Sequence, residues 1–388
     1  MPRIYCTVGN LVLRQGLTAA VLSLATVGLG CAAYEPIEPI DAIRDGYAER
    51  LGTERARSVA VPFELSDEIR SEVDGRVNFA AGEARRTEEV LSFVFDWLGL
   101  EYAIRPTRDA VGTFKAREGN CLSFVNLFVG LAREFRLNPF YVEVKDYQRW
   151  NYRDGVVVSR GHMVAGMYVD GELSTFDFLP YRPKGYRDFD PVDDLTATAH
   201  YYNNLGAEAL MEDDLGTAAE LLELAVDLAP DFDKALNNLG VCYLRQGRTA
   251  DAIGLYRKGL ALEPDNVPLL SNLARAYQQV GNGDGALELL TRIEALGATS
   301  PYFYVYRGEV ALARGDTAEA LEYMRRAMKR DSEVPEVHLG LLKVYLALGD
   351  LGRAQHHLER ALRLDATNVE ARHYAAMLSG GASESESR

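Results

Sequence analysis

Cysteine is scarce in this chain, and the scarcity is informative. Cys6, Cys31, Cys121 and Cys242 stand too far apart for the paired spacing of a zinc site, and four are too few for a disulfide-built scaffold. Neither a metal nor a cofactor is expected from this pattern. Basic residues are outnumbered as well, with 42 Lys and Arg against 57 Asp and Glu and a net charge of −15. Nucleic acid, which selects basic surfaces, is therefore excluded as a partner. Long uncharged runs are missing beyond the first 34 residues, so nothing later in the chain reads as a membrane span. What remains, 47% hydrophobic and 26% charged over 388 residues, is the composition of two or three globular domains.

The N-terminus has the order of an export signal. Arg3 and Arg14 precede an uncharged stretch over 17–30 that ends in small residues before Cys31. Residues 1–31 resemble a bacterial lipoprotein signal, although the Leu usual three places before the cysteine is replaced by Gly28, with Leu29 after it. The resemblance implies lipidation of Cys31, attachment to a membrane through that lipid, and a place in the bacterial cell envelope facing the periplasm. An uncleaved anchor is the alternative, because residues 15–34 carry no charge over a length of 20. Residues 32–62 mix Pro, Glu, Arg and Gly without a sustained period. They read as a tether holding one short helix near 41–51.

A compact domain is expected over 63–195. Val90, Leu91, Val94, Trp97 and Leu98 follow the spacing of an amphipathic helix. A second helix over 122–135 is apolar nearly all round, which marks it as buried, and Cys121 stands at its first turn. Unsatisfied N–H groups and the positive end of the helix dipole favour a thiolate there. Taken alone, Cys121 reads more readily as a small core residue capping the helix than as a nucleophile.

Beyond this helix the period changes from 3.6 to 2 at Phe140–Val144, the alternation of a strand, and 147–154 reads as a surface loop. Asp170-Gly171 is a favoured two-residue hairpin turn. With those residues at the turn, Val169 opposes Glu172 and Val164 opposes Asp177. His162 then lies on the same face as Asp177, about 7–8 Å away at the backbone, close enough for the side chains to meet. A thiol nucleophile needs such a pair: an imidazole to take and return its proton, and a carboxylate to orient the imidazole.

The stretch Thr107–Phe135 around Glu118-Gly119-Asn120-Cys121-Leu122-Ser123, then Gly161-His162-Met163-Val164, then Thr175-Phe176-Asp177-Phe178, resembles the transglutaminase-like branch of the papain-like cysteine enzymes. The likeness runs from about Val61 to Val192. It implies Cys121 as nucleophile, His162 as general base and acid, and Asp177 as orienter, with a buried helix on an antiparallel sheet in an α+β domain. It also implies acyl chemistry on amides. Familiar transglutaminases usually carry a Trp beside the cysteine and another after the histidine, where this chain has Leu122 and Met163. No upstream glutamine offers a second oxyanion donor beside the Cys121 N–H, so hydrolysis is expected ahead of crosslinking.

From about 199 the chain repeats every 34 residues: Gly247, Gly281, Gly315 and Gly349 keep that interval, as do Ala218, Ala252, Ala286, Ala320 and Ala354. Asn238-Leu239-Gly240 with Tyr243, Ala252, Tyr256 and Pro264 resembles the tetratricopeptide pattern, giving five repeats over 199–368 in an all-α solenoid. A capping helix over 369–378 and a disordered tail over 379–388 follow. The repeats imply a groove for a protein or peptide partner, with Asn203, Lys234, Asn237, Arg275 and Lys343 as candidate contacts. Cys242 reads as core.

Together these features predict a cell-envelope cysteine-dependent hydrolase, a peptidase or amidase, or else an acyltransferase. Its substrate is a peptide or protein, recruited by the repeats. The alternative is a peptide-binding scaffold of the same fold with weak chemistry or none.

Overall fold

The computed structural model describes residues 39–153, 156–179 and 188–385. Cys31, the expected signal and the last three residues lie outside the described residues. Two compact units emerge, one comprising residues up to Trp150 and Ser159–Cys242, the other Asn151–Val158 and Tyr243 onward.

The first unit is built round helix α6 (Cys121–Glu134), which Asn120 caps by accepting a hydrogen bond from the Ser123 N–H at 3.0 Å. Leu122 and Phe124 through Ala132 are all buried, as an all-round apolar helix requires. Phe128 packs at a tilt against Phe176 and Phe178 with ring centroids 4.8 and 5.7 Å away. Gly130 lets the chain at Phe63 cross this helix, since a Cβ there would lie 2.3 Å from the Phe63 carbonyl oxygen.

Helices α1 (Ile40–Leu51), α2 (Thr53–Ala56), α3 (Asp67–Val73) and α4 (Glu83–Ser92) precede α6 and share its core, with α4 running on into one π turn, Phe93–Trp97. The tether expected over 32–62 is thus corrected from Ile40 on. Ile43 and Tyr47 are fully buried in the common core, together with Val59 and Val61. Ile40, Ala48 and Leu51, partly buried, pack against the same core and complete the docked face of the helix.

Short strands β1 (Glu101–Tyr102) and β2 (Glu118–Gly119) pair in parallel on either side of α5 (Ala110–Ala116). The main sheet is antiparallel, in the order β5-β4-β3-β6, from β3 (Pro139–Arg153), β4 (Val156–Val169), β5 (Glu172–Phe176) and β6 (Phe189–Val192). The surface loop expected from 147 is strand as far as Arg153. At the β4–β5 hairpin Asp170 and Gly171 both take positive φ, 50° and 87°, and Val169 opposes Glu172 as the turn chemistry requires.

Helices α7 (Asp194–Met211) and α8 (Leu215–Leu228) form the first repeat and belong to this unit. Tyr47 and Thr198 share a hydrogen bond of 2.7 Å between hydroxyls, and Arg133 makes a bidentate pair with Asp194 at 2.8 Å. The division expected at 195–199 follows the repeat pattern, whereas the compact units divide between Cys242 and Tyr243, inside α9 (Asp233–Arg245).

In the second unit α10 (Thr249–Leu262) is followed by the pairs α11 (Val267–Gln279) with α12 (Gly283–Ala295), α13 (Pro301–Ala313) with α14 (Thr317–Arg330), and α15 (Pro335–Ala347) with α16 (Leu351–Leu364). The four turn glycines have φ between 74° and 83°, a region costly for other residues. The recurring alanines are fully buried where paired helices meet. Helix α17 (Val369–Ser385) closes the array and runs on through 379–385, where a frayed tail was expected.

Candidate functional site

Cys121 is the first residue of α6 and half-buried, and the loop before it is fixed by a relay of hydrogen bonds. Asn120 Oδ1 accepts from both the N–H and the hydroxyl of Ser123 at 3.0 Å, so its Nδ2 is the end that donates to Thr107 Oγ1 at 2.7 Å. The Thr107 hydroxyl in turn donates to Glu208 Oε1 at 2.8 Å, and the Thr107 N–H reaches both oxygens of that carboxylate, at 3.0 and 3.1 Å. A residue of the first repeat thereby holds the start of the cysteine helix.

The β4–β5 hairpin delivers the other two groups. His162 Nε2 lies 3.1 Å from Asp177 Oδ1, which also accepts the Leu179 N–H at 3.1 Å. His162 is 2% and Asp177 5% exposed. With Nε2 turned to the carboxylate, Nδ1 is left for the Cys121 thiol, the ring's other hydrogen-bonding partner. Burial alone would depress the imidazole. The charge and hydrogen bond of Asp177, then those of Cys121, outweigh it and raise His162 to about 10. The three residues singled out from sequence are therefore assembled. Cys121 and His162 open onto a pocket of about 70 Å³ that Asn120, Thr107, Asn204 and Glu208 also line, with Tyr102, Ile104, Gly161 and Leu179 completing its wall.

The repeat residues proposed as partner contacts are mostly engaged already. Asn203 Oδ1 accepts from Asn238 Nδ2 at 2.9 Å, and Asn237 donates to Ser159 Oγ at 3.4 Å. Lys234 is ion-paired with Glu143 on β3, and His200 Nε2 lies 3.7 Å from the same carboxylate. Glu143 is held well below the usual carboxylate range: burial opposes ionisation, but the charges of His200 and Lys234 overcome it. In the second unit Lys343 Nζ is 2.7 Å from both Glu309 and Glu370, and Arg275 Nη1 is 3.8 Å from Glu309. These residues line a groove of about 580 Å³ together with Tyr306 and His373.

The more telling repeat residues are asparagines one position further along. Asn238 accepts the Ser159 N–H and donates to the Ser159 carbonyl, both at 2.9 Å. Asn272, one repeat later, grips Val157 in the same two ways at the same distances within the second unit. Sequence reading overlooked this role, although the 34-residue recurrence of Asn204, Asn238 and Asn272 was available as a signal. Glu208 and Thr107 were missed because their pairing spans 101 residues. Among the described residues no cluster of three or more His, Cys, Asp or Glu is arranged to hold a metal ion, and no helix is long and apolar enough to cross a membrane. Cys242 is buried, with its thiol 3.4 Å from the Leu215 carbonyl.

Family models for the tetratricopeptide repeat match residues 203–267, 244–304 and 311–378. The C-terminal region is a tetratricopeptide repeat array. The α/β region before it carries no family assignment. No curated protein matches the chain. Among solved structures it is similar to a thermophilic tetratricopeptide protein of Thermus thermophilus, at 22% identity and a TM-score of 0.43, over 46% of this chain and 98% of that one. It is similar also to MamA from Desulfovibrio magneticus RS-1, at 18% identity and a TM-score of 0.36, over 44% of this chain and 97% of that one. A third is YrrB, a tetratricopeptide protein with an unusual peptide-binding site, at 18% identity and a TM-score of 0.33, over 46% and 92%. Repeats of this kind suggest protein or peptide partners.

Proposed function

We propose that this protein is a cysteine-dependent acyl hydrolase, a peptidase or amidase, acting on peptide or protein amides. Transfer of the acyl group to an amine would be the variant outcome of the same chemistry. The observation that carries the reading is the buried chain from the Cys121 thiol through His162 to Asp177 at the wall of a small open pocket. The likeness to transglutaminase-like enzymes read from the sequence agrees with it.

In this mechanism the sulfur of Cys121, its proton resting on His162, adds to the carbonyl carbon of the substrate. The C–N bond breaks as His162 gives that proton to the leaving amine, which leaves a thioester on Cys121. Water, deprotonated by His162, then attacks the thioester, and the carboxylic acid departs with the thiol restored. Asp177 stays ionised throughout and keeps the ring aligned. The repeats recruit the protein substrate or partner, and the lipidated envelope location read from residues 1–31 belongs to the same proposal.

Iodoacetamide labelling near neutral pH tests it. Cys121 is expected to react faster than Cys242, and His162→Ala to suppress that reactivity in protein that still folds, though at a lowered melting temperature because the buried pair with Asp177 is lost. Equal and slow labelling of both thiols would favour the scaffold reading instead.

A further inference from the structure

An attacking thiolate drives negative charge onto the carbonyl oxygen of its substrate, and a site that does this well meets the oxygen with two fixed donors. One is the N–H of Cys121, among those that a helix start leaves without an intrahelical acceptor. Leu122 and Met163, which stand where familiar transglutaminases carry Trp, are both buried and have no side-chain N–H to give.

We propose that the second donor is the side-chain amide of Asn204, on the first repeat helix α7. This rests on the hydrolase reading above and extends it to a residue outside the α/β region. Three observations support it. Asn204 lines the same pocket as Cys121 and His162. It is half-buried, and its amide bonds to no described residue. The third observation is the repeat pattern. Asn272 takes the backbone amide of Val157 and Asn238 that of Ser159, each through both atoms of its side-chain amide. The next residue on the same face of β4 is Gly161, which lines the pocket, and Asn204 is the asparagine at the corresponding place in the first repeat. Here the strand does not use it. A side chain of a kind that binds amides elsewhere in this molecule is thus left free at the wall where a substrate amide must react.

The support under Asn204 is rigid. Glu208 is one helical turn further along the same face of α7, and its three hydrogen bonds to Thr107 tie that face to the loop carrying Asn120 and Cys121. When sulfur adds to the carbonyl carbon, the π electrons move onto oxygen, and the N–H groups of Cys121 and Asn204 donate to it. Both bonds persist until the C–N bond breaks and the double bond re-forms.

The test compares full-length wild type with Asn204→Ala and Asn204→Asp, using two probes. Iodoacetamide alkylates sulfur at a saturated carbon and builds no oxyanion, whereas p-nitrophenyl acetate acylates it through one. Alkylation of Cys121 is expected to stay within about twofold of wild type. Acylation is expected to slow about 10²–10³-fold in its limiting rate constant, with half-saturation little changed. Because the carboxylate of the second variant keeps the size of the side chain but has no N–H, both variants should fall together. Unchanged acylation, or a loss confined to half-saturation, would overturn the assignment of Asn204. Wild-type Cys121 that is slow with both probes would instead overturn the hydrolase reading beneath it.

Discussion

A histidine shut away from water normally gives up its charge, and His162 does the opposite because Asp177 and Cys121 both favour its protonated form. The consequence for stability has a definite sign. With a folded value near 10 and an unfolded one of 6.5, the pair contributes fully below about pH 6.5, and the contribution drains away as pH rises toward 10. Removing the larger of the two influences with Asp177→Asn should weaken that dependence. The melting temperature of wild type is expected to fall more steeply between pH 7 and 10 than that of the variant, as followed by scanning fluorimetry. Parallel slopes would show that the pair is not ionised in the folded protein. At this scale the sequence was legible where geometry is local. The turn at Asp170-Gly171 sets the register, and register brings His162 to Asp177. Glu208 was illegible for the opposite reason, since its partner Thr107 lies 101 residues away in the chain.

Helix α6 shows what an element needs beyond an apolar composition. Its burial and its start at Cys121 could be read from the sequence, but the need for Gly130 could not, because only the crossing chain at Phe63 and Leu65 explains it. A methyl group at that position meets backbone 2.3 Å away, and backbone yields less readily than the tip of a side chain. Gly130→Ala is therefore expected to lower unfolding free energy by about 1–3 kcal/mol, as overpacked cores do, measured by urea titration. A midpoint equal to that of wild type would mean that the 61–65 segment moves aside at no cost. Helix α1 was expected over 41–51, but its docking into the core was not, because Ile43 and Tyr47 are interspersed with Asp, Arg and Glu along the chain. The repeats were plain because each of five units restates the same alanine and nearly every one the same turn glycine. Asp213 takes the glycine's place in the first turn, at φ 64°.

Across the whole molecule the two units carry different acid sensitivities. In the first, Glu143 stays ionised beside Lys234 and His200, so its contribution is complete above about pH 4.5 and lost progressively below it. In the second, burial and then the charges of His338 and His356 lower His357 to about 4. A depressed histidine stabilises the fold above pH 6.5 and loses that contribution as pH falls toward 4. Hydrogen exchange is expected to show helices α15 and α16 losing protection between pH 6.5 and 4.5 while residues 139–144 keep theirs, with His357→Gln blunting the early change. Loss of protection in both regions at one pH would contradict it.

The first repeat is shared property. Thr198, Asp194, Asp227 and Glu208 are bonded to Tyr47, Arg133, Arg55 and Thr107 respectively, so α7 and α8 serve the α/β unit as much as they open the array. Anyone grafting a foreign solenoid onto this protein to redirect its choice of partner must leave the native chain intact through at least Leu228. A splice placed where the repeats begin would strip one side from the chamber that holds the sulfur.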